Sequence, residues 1–149
     1  MKVSARNVFE GTITGLVDGQ VNAEVELTTA GGDRIVAVVT EGSVKSLGLA
    51  VGKAATAFVK APWVMLLAGD VPVRFSARNQ LAGVVSSVVK GAVNTDVSVR
   101  LPGGSLVHAV VTNEAVMELG LKDGVPTVAL IKASHVVLGV PAWQGAAAH

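Results

Sequence analysis

The 149-residue sequence contains no cysteine and no tyrosine, and only 15% of its residues are charged. The absence of cysteine excludes a disulfide scaffold, a thiolate metal site and a cysteine nucleophile. The aromatic residues are three Phe and two Trp, too few for platforms that stack nucleic-acid bases. The formal net charge is +1, so the chain offers no broad basic surface to a phosphate backbone.

Long apolar runs are also missing, although 50% of the residues are hydrophobic. A membrane-spanning helix needs roughly 20 mostly apolar residues, whereas the run from Ala61 to Gly69 contains Pro62 and stops at Asp70. Residues 1–7 lack the apolar core of a signal peptide. We therefore expect a soluble cytoplasmic protein whose apolar residues fill a core or an interface between subunits.

The sequence repeats itself with an offset of 72 residues. The string Ser4-Ala5-Arg6-Asn7 recurs as Ser76-Ala77-Arg78-Asn79, and residues 4–66 aligned with 76–138 give 26 identities in 63 positions without a gap. This pattern indicates a tandem duplication. We place the modules at residues 1–68 and 73–140, and we expect the small-residue-rich tail at 141–149 to be frayed.

Each module has the pattern of several strands and one short helix. Alternating valines in Val21–Leu27 and Arg34–Val39 predict half-buried strands, joined by a hairpin turn at Gly31-Gly32. One short helix is predicted in each module, at residues 41–47 and 113–119. Thr40 and Thr112 are placed to cap the helix N-termini, and Gly48 and Gly120 are placed to end the helices. Five strands and one short helix per module predict an all-β fold of two tandem OB-type Greek-key barrels.

Few polar side chains are identical in both modules. They are Ser4/Ser76, Arg6/Arg78, Asn7/Asn79, Asn22/Asn94, Thr40/Thr112 and Lys60/Lys132. These cations, hydroxyls and amides donate hydrogen bonds, and no acidic residue is identical, although Glu24 and Asp96 are similar. Such a set suits a small anion whose oxygens accept hydrogen bonds and donate none. Ser43 adds a hydroxyl near the first predicted helix N-terminus, where the second module has Ala115.

Most of these residues also have a structural explanation. A threonine before a helix is commonly a cap, asparagines such as Asn22 and Asn94 favour turns, and a lysine at a strand end is commonly a solvated edge charge. The Ser-Ala-Arg-Asn string is different, because no turn or strand requirement selects it. We therefore give the string the greatest weight in the search for a binding site.

The string Ser76-Ala77-Arg78-Asn79-Gln80, with Ile131-Lys132-Ala133-Ser134 later in the module, resembles the Mop family of cytoplasmic molybdate-binding proteins. The resemblance implies OB-like TOBE modules that exchange strands, homotrimers, and oxyanions held between modules. The oxyanion-binding residues that it implies are Ser4, Arg6, Thr40, Ser43, Lys60, Ala61, Ser76, Arg78, Thr112, Ala115, Lys132 and Ala133. The asparagines Asn7, Asn79, Asn22 and Asn94 are weaker candidates for the same site.

The implied function is reversible binding of molybdate or tungstate for molybdenum storage and homeostasis, with no catalysis, no organic cofactor and no directly ligated metal. An alternative is an oxyanion-sensing regulatory module that acts on a protein partner. An enzyme is disfavoured because His108, His135 and His149 do not recur between the modules, and such histidines are commonly structural. Nucleic acid and membrane partners are disfavoured by the charge, the few aromatics and the missing apolar runs.

Overall fold

The computed structural model describes residues 2–142, and in them the same series of elements occurs twice. The first series is β1 (Asn7–Asp18), β2 (Asn22–Thr29), β3 (Arg34–Thr40), α1 (Glu41–Leu47), β4 (Ala54–Val59), a 3₁₀ turn (Ala61–Trp63) and β5 (Met65–Leu67). The second is β6 (Asn79–Lys90), β7 (Asn94–Arg100), β8 (Leu106–Thr112), α2 (Asn113–Leu119), β9 (Pro126–Ile131), a 3₁₀ turn (Ala133–His135) and β10 (Val137–Gly139). The predicted all-β fold with one short helix per module is confirmed.

The strands form because their apolar residues alternate, so that one face of each sheet is buried. In β2, Ala23, Val25 and Leu27 are buried, and antiparallel pairing joins β1, β2 and β3. The register of β1 shifts between Ile13 and Gly15, which is a bulge that bends the long strand. The bend brings β10, at one edge of the sheet, towards β3 at the other, and the second sheet has the same construction.

The last strand of each half completes the sheet of the other half. The sheet orders are β10-β4-β1-β2-β3 and β5-β9-β6-β7-β8, with Leu138 opposite Ala57 and Leu66 opposite Ala129. Because each half buries a strand of the other, the buried side chains of both halves form one continuous core. The strand exchange implied by the resemblance is therefore present. The module boundaries that we place at residues 68 and 73 lie in the segment between β5 and β6. These boundaries remain a prediction.

A buried asparagine joins each module to the backbone of the other. The Asn79 side chain accepts a hydrogen bond from Val36 N–H (2.7 Å) and donates to Val36 C=O (2.8 Å). In the other direction, Asn7 accepts from His108 N–H (2.6 Å) and donates to His108 C=O (2.8 Å). Both asparagines are at most 2% exposed. We call these four hydrogen bonds the asparagine clamp.

A second contact between the modules is one-sided. The carboxylate of Asp33, in the β2–β3 turn, accepts hydrogen bonds from the backbone N–H groups of Gly103 (2.9 Å) and Ser105 (3.1 Å) in the opposite turn. The two turns approach so closely that a Cβ atom on Gly31 would lie 1.9 Å from the carbonyl oxygen of Gly103. A side chain at position 31 would therefore force the turns apart.

The two helices begin and end at the predicted residues. Thr40 and Thr112 accept a hydrogen bond from the backbone N–H three residues later, which is an N-cap. Gly48 and Gly120 end the helices in the left-handed conformation, with φ of 64° and 65°. Each helix has seven residues, and no helix within residues 2–142 has the length and apolarity to cross a membrane. Residues 143–149, most of the tail predicted to be frayed, lie outside the described residues.

The asparagine clamp predicts that Asn79→Ala lowers the free energy of unfolding by about 2–4 kcal/mol, because it leaves the N–H and C=O of Val36 without their side-chain partner. Chemical denaturation followed by circular dichroism measures this loss. The control is Asn94→Ala, which removes an exposed asparagine from the same sheet and should change stability by less than about 0.5 kcal/mol. Equal stability of the two variants would contradict a structural role for the clamp.

Candidate functional site

Each arginine of the repeated string forms an ion pair with an acidic residue of the opposite module. Arg78 donates hydrogen bonds from Nε and Nη2 to the two carboxylate oxygens of Glu24, the first at 3.1 Å. Arg6 donates from Nη1 to one oxygen of Asp96 at 3.3 Å. The pairs are equivalent under the 72-residue offset, but they differ in geometry. The first is two-pronged and the second is a single long contact.

The Arg78–Glu24 pair affects the ionisation of both partners. The hydrogen bond from Arg78 holds the pKa of the Glu24 carboxyl below its ordinary value, against a smaller opposing effect of burial. The same hydrogen bond raises the pKa of the Arg78 guanidinium. Both groups are therefore fully charged at neutral pH, and the guanidinium already has an anionic partner within the chain.

The repeated string thus divides into residues with different surroundings. Asn7 and Asn79 are buried in the asparagine clamp, which gives their retention in both modules a structural cause. Ser4 and Ser76 precede them as exposed residues. The contact between the modules therefore explains why the asparagine of the string is identical in both modules. It does not explain the identity of the exposed serine and arginine.

The threonines at the helix N-termini lie beside the other predicted asparagines. Asn22 pairs with Thr40 across β2 and β3, and Asn94 pairs with Thr112 across β7 and β8. In the first module the Thr40 hydroxyl accepts from Ser43 N–H (3.1 Å) and donates to the Ser43 hydroxyl (2.9 Å). In the second, Ala115 offers only its N–H to Thr112 (3.1 Å). The first module thus groups the polar side chains of Asn22, Thr40 and Ser43, whereas the second groups only those of Asn94 and Thr112.

The two retained lysines lie near one aromatic pair at the boundary between the modules. The rings of Trp63 and His135, which are equivalent positions of the repeat, have centroids 4.6 Å apart. The ammonium group of Lys60 lies 5.8 Å from the centre of the Trp63 ring, within the range of a cation–π contact. Lys132 and Ser76 line a cavity of about 210 Å³ with the same two rings.

The structure therefore brings some of the predicted oxyanion ligands together and leaves others apart. Ser76 and Lys132 share the cavity beside Trp63, whose lining includes neither Arg78 nor Thr112. Ala61 and Ala133 are buried at the starts of the 3₁₀ turns, which pack against β8 and β3 of the opposite module. Within residues 2–142, no group of three or more acidic or histidine side chains could hold a metal ion.

His108 occupies a setting that the sequence did not indicate. Its Nδ1 lies 2.9 Å from the hydroxyl of Ser98, a buried residue of the neighbouring strand. Burial lowers the pKa of His108, the charge of Arg6 lowers it further, and Asp96 opposes both. The Ser98 hydroxyl thus gives the imidazole of His108 a hydrogen-bond partner in a partly buried position.

The residues that the sequence did not assign to the site are the arginine partners Glu24 and Asp96, and the aromatic pair of Trp63 with His135. The signal for the first pair was present, because an acidic residue occupies the same position in both modules. The similarity was noted, but a search for hydrogen-bond donors to an anion gave the two acidic residues no role. No sequence signal indicated that the rings of Trp63 and His135 contact each other at a tilt of 40°, because the two residues differ in type and meet only after the strands exchange.

The chain matches the model of the TOBE domain family twice, over residues 3–66 and 76–138. It is 45% identical over 141 residues to the molybdenum-pterin-binding protein MopA of Rhodobacter capsulatus, covering 95% of this chain and 53% of that protein. It is 43% identical over 140 residues to the molybdenum transport protein ModE of Azotobacter vinelandii, covering 94% and 52%. The chain thus spans about half the length of these curated relatives.

Among solved structures, the chain resembles the cytoplasmic molybdate-binding protein ModG, crystallised with molybdate bound. The TM-score is 0.90 at 54% sequence identity, and the match covers 95% of this chain and 100% of that one. The similarity therefore includes both modules and their arrangement in space.

The setting of His108 predicts a loss of stability on acidification. Because its pKa in the folded state lies below the unfolded value of about 6.5, the unfolded state binds the proton first. The free energy of unfolding should fall as the pH drops below about 6.5, whereas the lowered pKa of Glu24 acts only below about pH 4.5. Substitution by Val, the residue at the equivalent position 36, should abolish the decline above pH 5.

Thermal unfolding of wild type and His108→Val between pH 5 and 7.5 measures this difference. The control is Ser98→Ala, which removes the hydroxyl that contacts the ring but keeps the titrating imidazole. It should retain the acid sensitivity. Parallel pH profiles of wild type and His108→Val would show that another group causes the decline.

Proposed function

Because the chain belongs to the TOBE-domain family, as a tandem of two Mop-type modules, we propose that it binds molybdate reversibly and serves molybdenum storage and homeostasis in the cytoplasm. The observation that carries this proposal is the 54% identity to the full length of ModG, a structure with molybdate bound. Both modules here also retain the Arg, Lys, Ser and Thr residues expected to contact an oxyanion. The proposed role is binding without catalysis.

The proposed ligands match the chemistry of the anion. Molybdate is a tetrahedral dianion with four oxygens that accept hydrogen bonds and donate none. A guanidinium supplies a planar fork for two oxygens and an ammonium supplies a mobile charge. Ser76 and Lys132 already share a cavity, and the hydroxyl groups of Thr40 and Ser43 form a second polar group. Tungstate has the same charge and shape, so we propose that it binds in the same way.

The separation of these groups within one chain favours sites completed by another subunit, and we propose a homotrimer. Apolar side chains are exposed at equivalent positions of both modules, including Val17 with Val89 and Val21 with Val93. Exposed valines that recur in both copies suit an interface between subunits better than contact with water. Apposed cations from neighbouring modules would repel each other, so a bound dianion would stabilise the assembly.

A second candidate function is an oxyanion-sensing module that acts on a protein partner. It is favoured by the relatives named ModE, of which the chain spans about half. One of these, at 35% identity, is named a DNA-binding transcriptional dual regulator in Escherichia coli. In those proteins the part that resembles this chain is joined to a further segment of similar length.

The proposed binding predicts that the double substitution Arg6→Ala/Arg78→Ala weakens molybdate binding by about tenfold or more, because charge-assisted hydrogen bonds to the anion are lost. Isothermal titration calorimetry measures the affinity, and sulfate should not displace molybdate at equal concentration. The matched control is Lys90→Ala/Arg100→Ala, which removes the same charge from exposed strand positions outside the cavity that Arg78 lines. Unchanged affinity in the first variant would refute a role for the repeated arginines.

The proposed assembly predicts a particle of three chains in solution. Size-exclusion chromatography with light scattering should give three times the chain mass of 15.0 kDa. Millimolar molybdate should raise the unfolding temperature of this particle, since ligand binding at 100 times Kd stabilises by about 2.7 kcal/mol. A mass of 15.0 kDa at micromolar concentration would exclude the trimer.

A further inference from the structure

The arginines of the repeated string face carboxylates that resemble the ligand they are expected to bind. Glu24 and Asp96 occupy equivalent positions on β2 and β7, and each reaches an arginine of the opposite module. A carboxylate and an oxyanion both present acceptor oxygens to the same guanidinium fork. The two partners can therefore occupy the same hydrogen-bond donors.

We propose that Glu24 and Asp96 are affinity-setting residues that compete with the oxyanion for Arg78 and Arg6, and that Glu24 competes more strongly. This inference rests on the proposed function, because it concerns the same anion sites. The competition acts in two ways. A carboxylate that occupies one edge of the guanidinium removes those donors from the anion, and its negative charge repels a dianion nearby.

The exposure of the pairs allows this exchange. The side chains of Arg6 and Asp96 are 51% and 41% exposed, and those of Arg78 and Glu24 are 57% and 36% exposed. Ion pairs in such positions stabilise only weakly, because water and salt screen the charges. The contact is therefore strong enough to change an affinity about fivefold and weak enough for a bound anion to open it.

The geometry makes the two sites unequal. Glu24 accepts from Nε and Nη2 of Arg78 with both carboxylate oxygens, whereas Asp96 accepts one hydrogen bond of 3.3 Å from Arg6. Aspartate is shorter than glutamate by one methylene group, which accounts for the single contact. Arg6 is thus less firmly held, and the site that contains it should bind the anion at the lower concentration.

An exchange of the two acids tests the inference at constant net charge. In an Arg6→Ala background, where only Arg78 contributes a fork, Glu24→Asp should tighten molybdate binding by up to about fivefold. In an Arg78→Ala background, Asp96→Glu should weaken it by a similar factor. Calorimetric titration with sodium molybdate measures both affinities, and thermal unfolding without anion confirms that each variant folds.

A neutral substitution separates the contact from the charge. Glu26 lies two residues from Glu24 on β2 and lines the same cavity as Arg78, but its carboxylate accepts a hydrogen bond from Thr14. Glu24→Gln should therefore tighten molybdate binding in the Arg6→Ala background several-fold more than Glu26→Gln does. Equal effects of the two variants, or weaker binding by Glu24→Gln, would overturn the inference, the latter by showing that Glu24 positions Arg78 for the anion.

The wild-type titration keeps this inference distinct from the proposed function. Molybdate binding by the wild type, together with unchanged affinities in the acid exchange, would overturn the competition and leave the function standing. Absence of molybdate binding by the wild type would overturn both.

Discussion

The arrangement of the molecule depends on a buried amide that hydrogen-bonds to the backbone of the opposite module. Asn7 and Asn79 each pair with one residue of a strand that is 101 or 43 positions away. A side-chain amide that is buried without hydrogen-bond partners destabilises the fold by about as much as the clamp stabilises it. The modules therefore gain this stability only when they are correctly apposed. The exchanged strands β5 and β10 add a shared core to the same apposition. Neither half can therefore be stable in this form by itself.

The clamp also fixes the position of the candidate site. Arg6 and Arg78 immediately precede the clamped asparagines, so the backbone from which each guanidinium extends is held against the opposite module. This explains why the carboxylate that reaches Arg78 is contributed by Glu24 of the other module. The hydrogen bonds that join the modules and the charges available to an anion are thus encoded in adjacent residues. A change that separates the modules would move the arginines away from their partners as well.

Much of this fold could be predicted from local patterns, and the connections between the halves could not. Alternating valines, a threonine cap and a terminal glycine act within a few residues. Both helices therefore lie at the predicted residues, and β2 and β3 lie within two residues of the predicted ranges. A period-two pattern does not identify the partner of a strand, and so the exchange of β5 and β10 followed only from resemblance to a family. Asn7 and Arg6 are both identical in the second module, and identity alone does not show that the asparagine is buried between the modules while the arginine is exposed. The similarity of Glu24 and Asp96 was visible in the sequence, but it did not indicate that each carboxylate pairs with an arginine of the opposite module.

The two halves have kept the asparagine clamp that joins them, and they have diverged in a second contact between the modules and in residues around the candidate sites. Asp33 hydrogen-bonds across the module boundary where its counterpart is Ser105, and His108 stands where the first module has Val36. Ser43 faces Thr40, whereas Ala115 faces Thr112. A duplicated fold with an invariant clamp can tolerate such changes, because the clamp uses backbone groups that every residue type provides. Under the proposed function, two unequal sites in one chain would fill over a wider range of ligand concentration than two identical ones.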